Sequence, residues 1–183
     1  MRIIAFGHRK QVGKDSAAKF LQIILRMQNK NVKKAGFADE IYQVAYRLYK
    51  WAGFNTKEYY EAHPKMKEVI LSSIGRTPRQ ILIDIGMHMR VHDPEVWLNA
   101  VLRQTDCNFL IMSDLRFPNE KTAIEALGGM CIKIERPTIV DSNDAADYAL
   151  ADCKYWNRVL VNNGSLADLN RQMLDFSEEL VRG

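Results

Sequence analysis

A basic, glycine-containing loop near the start of the chain has the composition of a phosphate-binding site. It runs from Gly7 to Ser16 with the sequence GHRKQVGKDS, between an apolar run typical of a strand and a stretch with helical periodicity. Backbone N–H groups at a helix N-terminus bind phosphates, Gly13 allows the main chain to approach closely, and Lys14 can reach terminal phosphates. We therefore predict a phosphate-binding loop, with Asp15 and Ser16 as candidates for holding magnesium.

The loop departs in two places from the G-x-x-x-x-G-K-[ST] pattern of such sites. The pattern places its first glycine at position 8, where this chain has His8, and the hydroxyl of Ser16 comes two residues after Lys14 instead of one. The alternative is a helix that begins after a glycine-containing turn and leaves Lys14 solvated. The strand before the loop and the helix after it favour phosphate binding.

Strands and helices alternate along the chain, which predicts a parallel sheet covered by helices on both faces. Residues 56–73 are polar and aromatic, and they predict helical pieces on a surface excursion. The predicted strands cover residues 2–6, 31–37, 108–113, 130–135 and 158–161. About five strands are therefore expected in an α/β fold.

Length and composition are those of an ordinary globular protein. The chain has 183 residues, 47% of them hydrophobic, and a net charge of +4, which excludes disorder and fibrous repeats. Apolar runs such as 109–112 are far shorter than a membrane span needs, and three cysteines suit neither a disulfide framework nor a zinc knuckle. We expect a cytoplasmic protein without a membrane partner, and the scattered basic residues make nucleic acid an unfavoured partner.

Several short motifs occur in an order that resembles the deoxynucleoside monophosphate kinases of bacteriophages. The resemblance extends over nearly the whole chain, and the motifs are specific only in combination. They are GKDS at 13–16, FAD at 37–39, TPRQ at 77–80, DPxxWxN at 93–99, SDxRFPNE at 113–120, LGG at 127–129, IERP at 134–137 and VNNG at 161–164.

The resemblance implies a P-loop NTPase-type kinase that transfers the γ-phosphate of ATP, with Mg²⁺, to a deoxynucleoside monophosphate. It implies a single domain over 1–183 with a mostly helical acceptor-binding insertion at about 40–104. It also implies a homodimer and, for a protein of phage origin, the host cytoplasm. Phosphoryl transfer needs positioning and charge neutralisation, so cations and magnesium-holding oxygens are the relevant groups.

On the donor side, the candidates are the loop residues and one arginine that follows a later strand. They are Arg9, Lys10, Gly13, Lys14, Asp15, Ser16 and Arg136. Arg9 and Lys10 are additional cations, for which a solvated basic loop is the alternative.

On the acceptor side, the candidates are Asp39, Arg79, Arg90 and Trp97. Asp39 follows a predicted strand and can contact the nucleoside or orient the acceptor phosphate; the alternative is an acid that stabilises a helix N-terminus. The two arginines are eleven residues apart, about 16 Å along one helix, so they do not grip the same phosphate; either can be a surface ion-pair residue. Trp97 can stack on a base or pack in a core.

The candidates for the transfer step are Asp114 and Arg116, together with Lys14 of the loop. Asp114 follows a buried apolar strand at its carboxyl end, where it can hold magnesium or receive the acceptor's proton. Arg116 can stabilise charge on the transferring group. The alternative is a structural ion pair between the two side chains.

The remaining metal-type residues give no site. His88 and His92 are four residues apart on a helix, but no third ligand lies nearby in the sequence, so we do not expect zinc. Asp141, Asp144 and Asp147 lie along a loop and are equally consistent with a short lid or a solvated acidic segment.

Two rival functions stay open on the sequence. Phosphomevalonate kinases of the animal type carry a similar Gly-Lys-Asp loop, and the irregular loop also suits a nucleotide-binding regulator without turnover. Gly86-Met87-His88 stands where the resembling family has a small hydroxyl residue and an acid after the glycine. Because this departure falls at the predicted acceptor site, we expect base preference or activity to differ from the usual pattern of that family.

Overall fold

The structure, a computed structural model, describes residues 1–103, 105–139 and 149–182. Asp141, Asp144 and Asp147 lie outside these residues. The chain divides into two compact units. Unit 1 comprises residues 1–36 and 104–183, and Unit 2 comprises residues 37–103. The predicted insertion of about 40–104 covers nearly the same residues as Unit 2, and its acceptor-binding role stays a prediction.

Unit 1 contains a five-stranded parallel sheet in the order β2-β3-β1-β4-β5. The strands are β1 (Arg2–Gly7), β2 (Val32–Lys34), β3 (Phe109–Leu115), β4 (Met130–Glu135) and β5 (Arg158–Val161). The central strand β1 is apolar along nearly its whole length, as expected for a strand buried on both faces. Because all strands run the same way, the residues after β1, β2, β3 and β4 meet at one edge of the sheet.

Helices cover the sheet on both faces. Among the described residues, Unit 1 has the helices α1 (Lys14–Met27), α6 (Pro118–Ala126) and α7 (Leu166–Arg182). Ile4 and Phe6 of β1 share a core with buried residues of α1 and α7. The alternate residue Ile3 instead lies beside Gly129, which also contacts Ile124 of α6. Successive strand residues point to opposite faces, so α6 lies on the face opposite to α1 and α7.

The second strand is shorter than the sequence predicts. We expected a strand over 31–37, but β2 ends at Lys34 and a helix begins at Phe37. The N–H of Ala35 still bonds to the carbonyl of Ile111 at 3.0 Å, so the chain stays extended for one more residue. Gly36 then lies directly against the carboxylate of Asp114. Ala35 and Gly36 therefore form the link into the helix that begins at Phe37.

Unit 2 is helical and contains its own apolar core. Its helices are α2 (Phe37–Tyr49), α3 (Lys57–Ala62), α4 (Pro78–His92) and α5 (Val96–Arg103), with 3₁₀ turns at Lys50–Ala52 and Pro64–Glu68. Tyr42, Phe54 and Tyr60 form the aromatic centre of the core, with ring centroids 5.2–6.3 Å apart. The helical pieces predicted within 56–73 are present as α3 and the second 3₁₀ turn.

The start of α4 follows from its sequence. Thr77 Oγ1 accepts the N–H of Gln80 at 3.2 Å, and Gln80 Oε1 accepts the N–H of Thr77 at 2.9 Å. Pro78 occupies the first helical turn, where its missing N–H costs nothing. This reciprocal capping box satisfies two N–H groups that the helix itself cannot pair.

Thr77→Ala is expected to lower the free energy of unfolding by about 1 kcal/mol, the usual cost of losing a side-chain cap. Urea unfolding followed by circular dichroism measures the change. Thr77→Ser is the control, since its hydroxyl can still accept the N–H of Gln80. An alanine variant as stable as the serine variant would contradict a stabilising cap.

Within the residues that the structure describes, no helix is long and apolar enough to cross a membrane.

Candidate active site

The predicted phosphate-binding loop connects β1 to α1 through backbone in unusual conformations. His8, Gln11 and Gly13 have φ values of 93°, 61° and 106°. Glycine adopts this left-handed region at least cost, and a positive φ at other residues is uncommon. Position 8, where the pattern has glycine, therefore retains a glycine-type backbone although it carries histidine. His8 Nδ1 lies 3.2 Å from the carbonyl oxygen of Ile134 and links the loop to β4.

The side chain of Lys14 folds back onto this loop and bonds to its carbonyl groups. Its side chain is buried, with 8% of the residue exposed. Its Nζ donates to the carbonyl of His8 at 2.8 Å and also to the carbonyl of Arg9. Lys14 is therefore not the solvated side chain of the alternative interpretation. The loop carbonyls hold a positive charge at the N-terminus of α1, where a helix also favours anions.

A second group of polar side chains lies where β2 and β3 end. Ser113 Oγ donates to Asp15 Oδ1 at 2.6 Å, and Lys34 Nζ lies 3.5 Å from the same oxygen. Asp15 belongs to the first turn of α1, so these contacts join the phosphate-binding loop to the ends of two neighbouring strands. Open α/β sheets bind ligands at this edge.

Asp114 lies at the same edge, close to Gly36. A Cβ atom on Gly36 would lie 2.6 Å from Asp114 Oδ2 and 2.9 Å from Oδ1. Real Cβ atoms do not approach other atoms so closely, so any other residue at position 36 would force the carboxylate to move. The structure therefore places Asp114 at the carboxyl edge of β3, as the sequence predicts.

Glu120 was missed by sequence reasoning, although it belongs to the SDxRFPNE motif. It is buried, with 4% exposed, and its Oε2 accepts the N–H of Arg116 at 3.0 Å and of Phe117 at 3.1 Å. The carboxylate thereby fixes the backbone two and three residues after Asp114. The motif gave the signal, because a glutamate two residues after proline can cap the start of a helix.

Asn162 was also missed by sequence reasoning, although it belongs to the VNNG motif. It follows β5, is 5% exposed, and its Nδ2 donates to the carbonyl of Val12 in the phosphate-binding loop at 2.8 Å. The asparagine pair before Gly164 has a local explanation as a turn, so no local pattern indicates this long-range contact.

A cavity of about 390 Å³ opens between the phosphate-binding loop and the end of β4. The strands β1 and β4 are neighbours in the sheet. The connection after β1 leads to β2 at one edge of the sheet, and the connection after β4 leads to β5 at the other edge. Open α/β sheets bind ligands where the connections diverge in this way. Arg9 and Arg136 both line the cavity, with Lys133 and Glu135, which form an ion pair at 2.6 Å. The volume lies in the range of small-molecule sites.

His8 also lines this cavity, and its pKa is lowered from the ordinary value of 6.5. Burial is the largest cause, because it disfavours the charged imidazolium, and the positive charges of Lys133 and Arg9 act in the same direction. The unfolded chain then binds a proton at a higher pH than the folded chain. The stabilising contribution of neutral His8 is present above pH 6.5 and is lost as the pH falls below it.

Wild type is expected to lose more free energy of unfolding between pH 7.5 and 5.5 than His8→Asn. Asparagine does not titrate and tolerates a positive φ. Urea unfolding at the two pH values measures the difference, which isolates His8 from the other titrating groups. Equal losses in both proteins would contradict the lowered pKa of His8.

The acceptor candidates lie in Unit 2, where two of them share a partner. Arg90 Nη1 donates to the carbonyl of Gly86 at 3.0 Å, and Trp97 Nε1 donates to the same oxygen at 3.1 Å. Trp97 is only 4% exposed, which favours its packing interpretation over base stacking. A Cβ on Gly86 would lie 3.3 Å from Ile41 Cδ1, so this glycine permits close packing of α2 against α4.

Asp39 and Arg79 have separate ion-pair partners. Asp39 lies in the first turn of α2 and pairs with Lys57, whereas Arg79 begins α4 and pairs with Glu68 at the surface. Arg79 and Arg90 thus lie near opposite ends of α4, as expected. The structure shows the helix-acid position for Asp39 and the surface ion pair for Arg79, and their acceptor roles stay predictions.

The chemistry of the edge residues fits magnesium better than zinc. In the part of the chain that the structure describes, no three His, Cys, Asp or Glu side chains form a group that could hold a metal ion. Magnesium needs less from the protein, since one or two carboxylates suffice when phosphates and water complete its shell. Asp15, held by Ser113, and Asp114 offer oxygen ligands of this kind.

Comparison with solved structures identifies the fold. An APS kinase from Mycobacterium tuberculosis, solved as a mutant, matches over 97% of this chain and 96% of its own, with a TM-score of 0.50 and 10% identity. Shikimate kinase from Aquifex aeolicus matches over 100% of this chain and 99% of its own, with a TM-score of 0.46 and 14% identity. The match to the APS kinase, together with the five-stranded parallel sheet covered by helices, confirms the predicted fold class.

Comparison by sequence gives a more particular similarity. No protein-family model matches the chain. A protein of Acanthamoeba polyphaga mimivirus, named "Putative deoxynucleotide monophosphate kinase", is 32% identical over 92 residues. The match covers 49% of this chain and 48% of that protein, so the chain aligns with about half the length of this curated relative.

Proposed function

We propose that this protein is a kinase that transfers the γ-phosphate of ATP to a deoxynucleoside monophosphate. The observation that carries the proposal is the buried Lys14, whose Nζ is held by two loop carbonyls between β1 and α1. The P-loop kinase fold supports a phosphoryl transfer, and the name of the mimivirus relative supports the nucleotide acceptor. The closer resemblance to phage enzymes and the homodimer remain predictions.

The donor binds along the phosphate-binding loop in this proposal. Gly13 and the start of α1 bind the phosphate chain, and Lys14 neutralises charge on the terminal phosphates. The cavity between the loop and β4 receives the nucleoside end of ATP, with Arg9 and Arg136 at its wall and Lys10 as a further loop cation. Its 390 Å³ is sufficient for a nucleoside-sized ligand.

Magnesium is proposed to bind at the carboxyl edge of the sheet. Asp15, Ser16 and Asp114 would hold it or its waters, and the ion would neutralise phosphate charge. Ser113 and Lys34 orient Asp15, and Gly36 leaves the space that the Asp114 carboxylate occupies.

The acceptor is proposed to bind through residues of Unit 2. Asp39 contacts the nucleoside or orients its phosphate. Arg90 supplies positive charge for that phosphate, and Arg79, about 16 Å away along α4, contacts a different part of the acceptor. Trp97 packs in Unit 2 and is not part of this proposal. In the transfer, an oxygen of the acceptor phosphate forms a bond to the γ-phosphorus while the bond to the bridging oxygen of ADP breaks. Arg116 is proposed to stabilise the charge that this transfer spreads over the γ-phosphoryl oxygens.

The test is ADP release by the purified protein with ATP and magnesium. The acceptors are the four deoxynucleoside monophosphates, the ribose counterparts and phosphomevalonate, each compared with a reaction without acceptor. Release that depends on a deoxynucleotide, with formation of its diphosphate, is the expected result. Release only with phosphomevalonate, or ATP binding without turnover on any acceptor, would contradict the proposal and favour one of the rival functions.

A further inference from the structure

Asn162 occupies an unusual place for a polar side chain. It directly follows β5, and its N–H donates to the carbonyl of Glu135 at 2.7 Å, which extends the pairing of β4 with β5. This backbone contact fixes the residue at the end of β5, next to the phosphate-binding loop. Its buried side chain then bonds to the carbonyl of Val12, 150 residues earlier in the chain.

This hydrogen bond determines the orientation of one peptide unit. A trans peptide is planar, and its C=O and N–H groups point in opposite directions. The described residues contain no cis peptide bond. Because the Val12 carbonyl points towards Asn162, the N–H of Gly13 must point away from Asn162.

Gly13 and Asn162 also fit each other sterically. A Cβ on Gly13 would lie 2.5 Å from Asn162 Nδ2, so the amide fills the space on that side of the glycine. Gly13 has a φ of 106° and precedes α1 as its N-cap residue. The amide of Asn162 therefore supports the loop from the sheet side, opposite to the direction in which the Gly13 N–H points.

We infer that Asn162 is a positioning residue for the donor phosphates: it holds the Val12–Gly13 peptide so that the Gly13 N–H can donate to a phosphate oxygen. The inference rests on the proposed function only for its donor site. A hydrogen-bond donor that is already oriented binds an anion without reorganisation, which is the advantage that Asn162 provides. The residue acts through the loop backbone and does not contact the reacting atoms.

Asn162→Asp tests the inference with almost no change in shape. A carboxylate cannot donate to the Val12 carbonyl, and its negative charge beside that oxygen favours rotation of the peptide. We expect affinity for Mg-ATP and for tripolyphosphate to fall about tenfold or more, the factor that a hydrogen bond to a charged group supplies. Affinity for adenosine, which has no phosphate, should stay within about twofold because the cavity beside β4 is unchanged.

Asn163→Asp is the matched control. It introduces the same charge at the next residue, whose side chain is exposed, and should leave all three affinities unchanged. Calorimetry measures ATP and tripolyphosphate, ligand-observed NMR measures adenosine, and thermal unfolding checks that each variant is folded. If Asn162→Asp does not fold, Asn162→Ala replaces it, since alanine removes the donor without adding charge. The expected result is again a lower affinity for Mg-ATP and tripolyphosphate with an unchanged affinity for adenosine.

If Asn162 only stabilised the fold, the variants would not lose affinity for phosphate-containing ligands selectively. Equal losses for adenosine and ATP, or wild-type affinity for ATP in a folded variant, would overturn the inference. In turnover, the KM for ATP should rise while the KM for the acceptor stays unchanged. These binding measurements need no acceptor, so failure of deoxynucleotide phosphorylation would refute the proposed function and leave this test valid.

Discussion

Lys14→Ala is expected to lower kcat for deoxynucleotide phosphorylation by roughly 10²- to 10³-fold, the usual loss when one oriented donor is removed from a developing negative charge. In the structure, Nζ bonds to the carbonyls of His8 and Arg9, which places a positive charge at the loop. Alanine leaves the negative charge of the transferring phosphoryl group without this cation. Steady-state kinetics with saturating ATP measures the loss.

Lys19→Ala is the control for this variant. Lys19 lies on the exposed side of the same helix, so its removal changes the net charge equally but leaves the loop intact. Thermal unfolding shows whether the Lys14 variant is folded. A folded Lys14→Ala protein with wild-type kcat would remove Lys14 from the site and refute the phosphate-binding loop.

Asp114→Asn is expected to lower kcat by roughly 10²-fold or more, because the residue is proposed to hold magnesium or to accept a proton in the transfer. Asparagine has the same shape, so it fits against Gly36 as aspartate does. The affinity for ATP should change less than kcat, since the loop contacts to the phosphates remain. Calorimetry for ATP and single-turnover kinetics separate the two effects.

Asp106→Asn serves as the control, because Asp106 is an exposed residue that precedes β3 at the other end of the strand. It removes the same charge far from the carboxyl edge. An unchanged single-turnover rate in Asp114→Asn would exclude Asp114 from the active site.

The elements around the phosphate-binding loop were predictable because their signals are local. The apolar run of β1, the Gly13-Lys14 pair and the periodic apolar residues of α1 lie next to one another in the sequence. The start of α4 was equally accessible, since the Thr77-Pro78 start and Gln80 contain the whole capping box. Prediction succeeds where neighbouring residues satisfy one another's hydrogen bonds.

The end of β2 was not predictable from local pattern. Residues 35–37 are small or apolar, so their pattern predicts that the strand continues. In the fold, however, Gly36 lies against the carboxylate of Asp114, and α2 begins at the next residue. That boundary depends on a residue 78 positions later, which no periodicity reveals.

The supporting residues of the site were hidden for the same reason. Asn162 meets Val12 only because β5 and the phosphate-binding loop come together in the folded sheet. Ser113 reaches Asp15 across 98 positions of sequence. The residue types that bind phosphate are visible in the sequence, whereas the residues that orient them are found only in the fold.

The most direct test of the central claim is to follow the γ-phosphate itself. The protein is incubated with magnesium and ATP labelled at the γ-phosphate, together with each deoxynucleoside monophosphate in turn, and the products are separated by chromatography. We predict label in the β-phosphate of at least one deoxynucleoside diphosphate, and its loss in Lys14→Ala. Label that stays in ATP or appears only as inorganic phosphate with all four acceptors would contradict the claim.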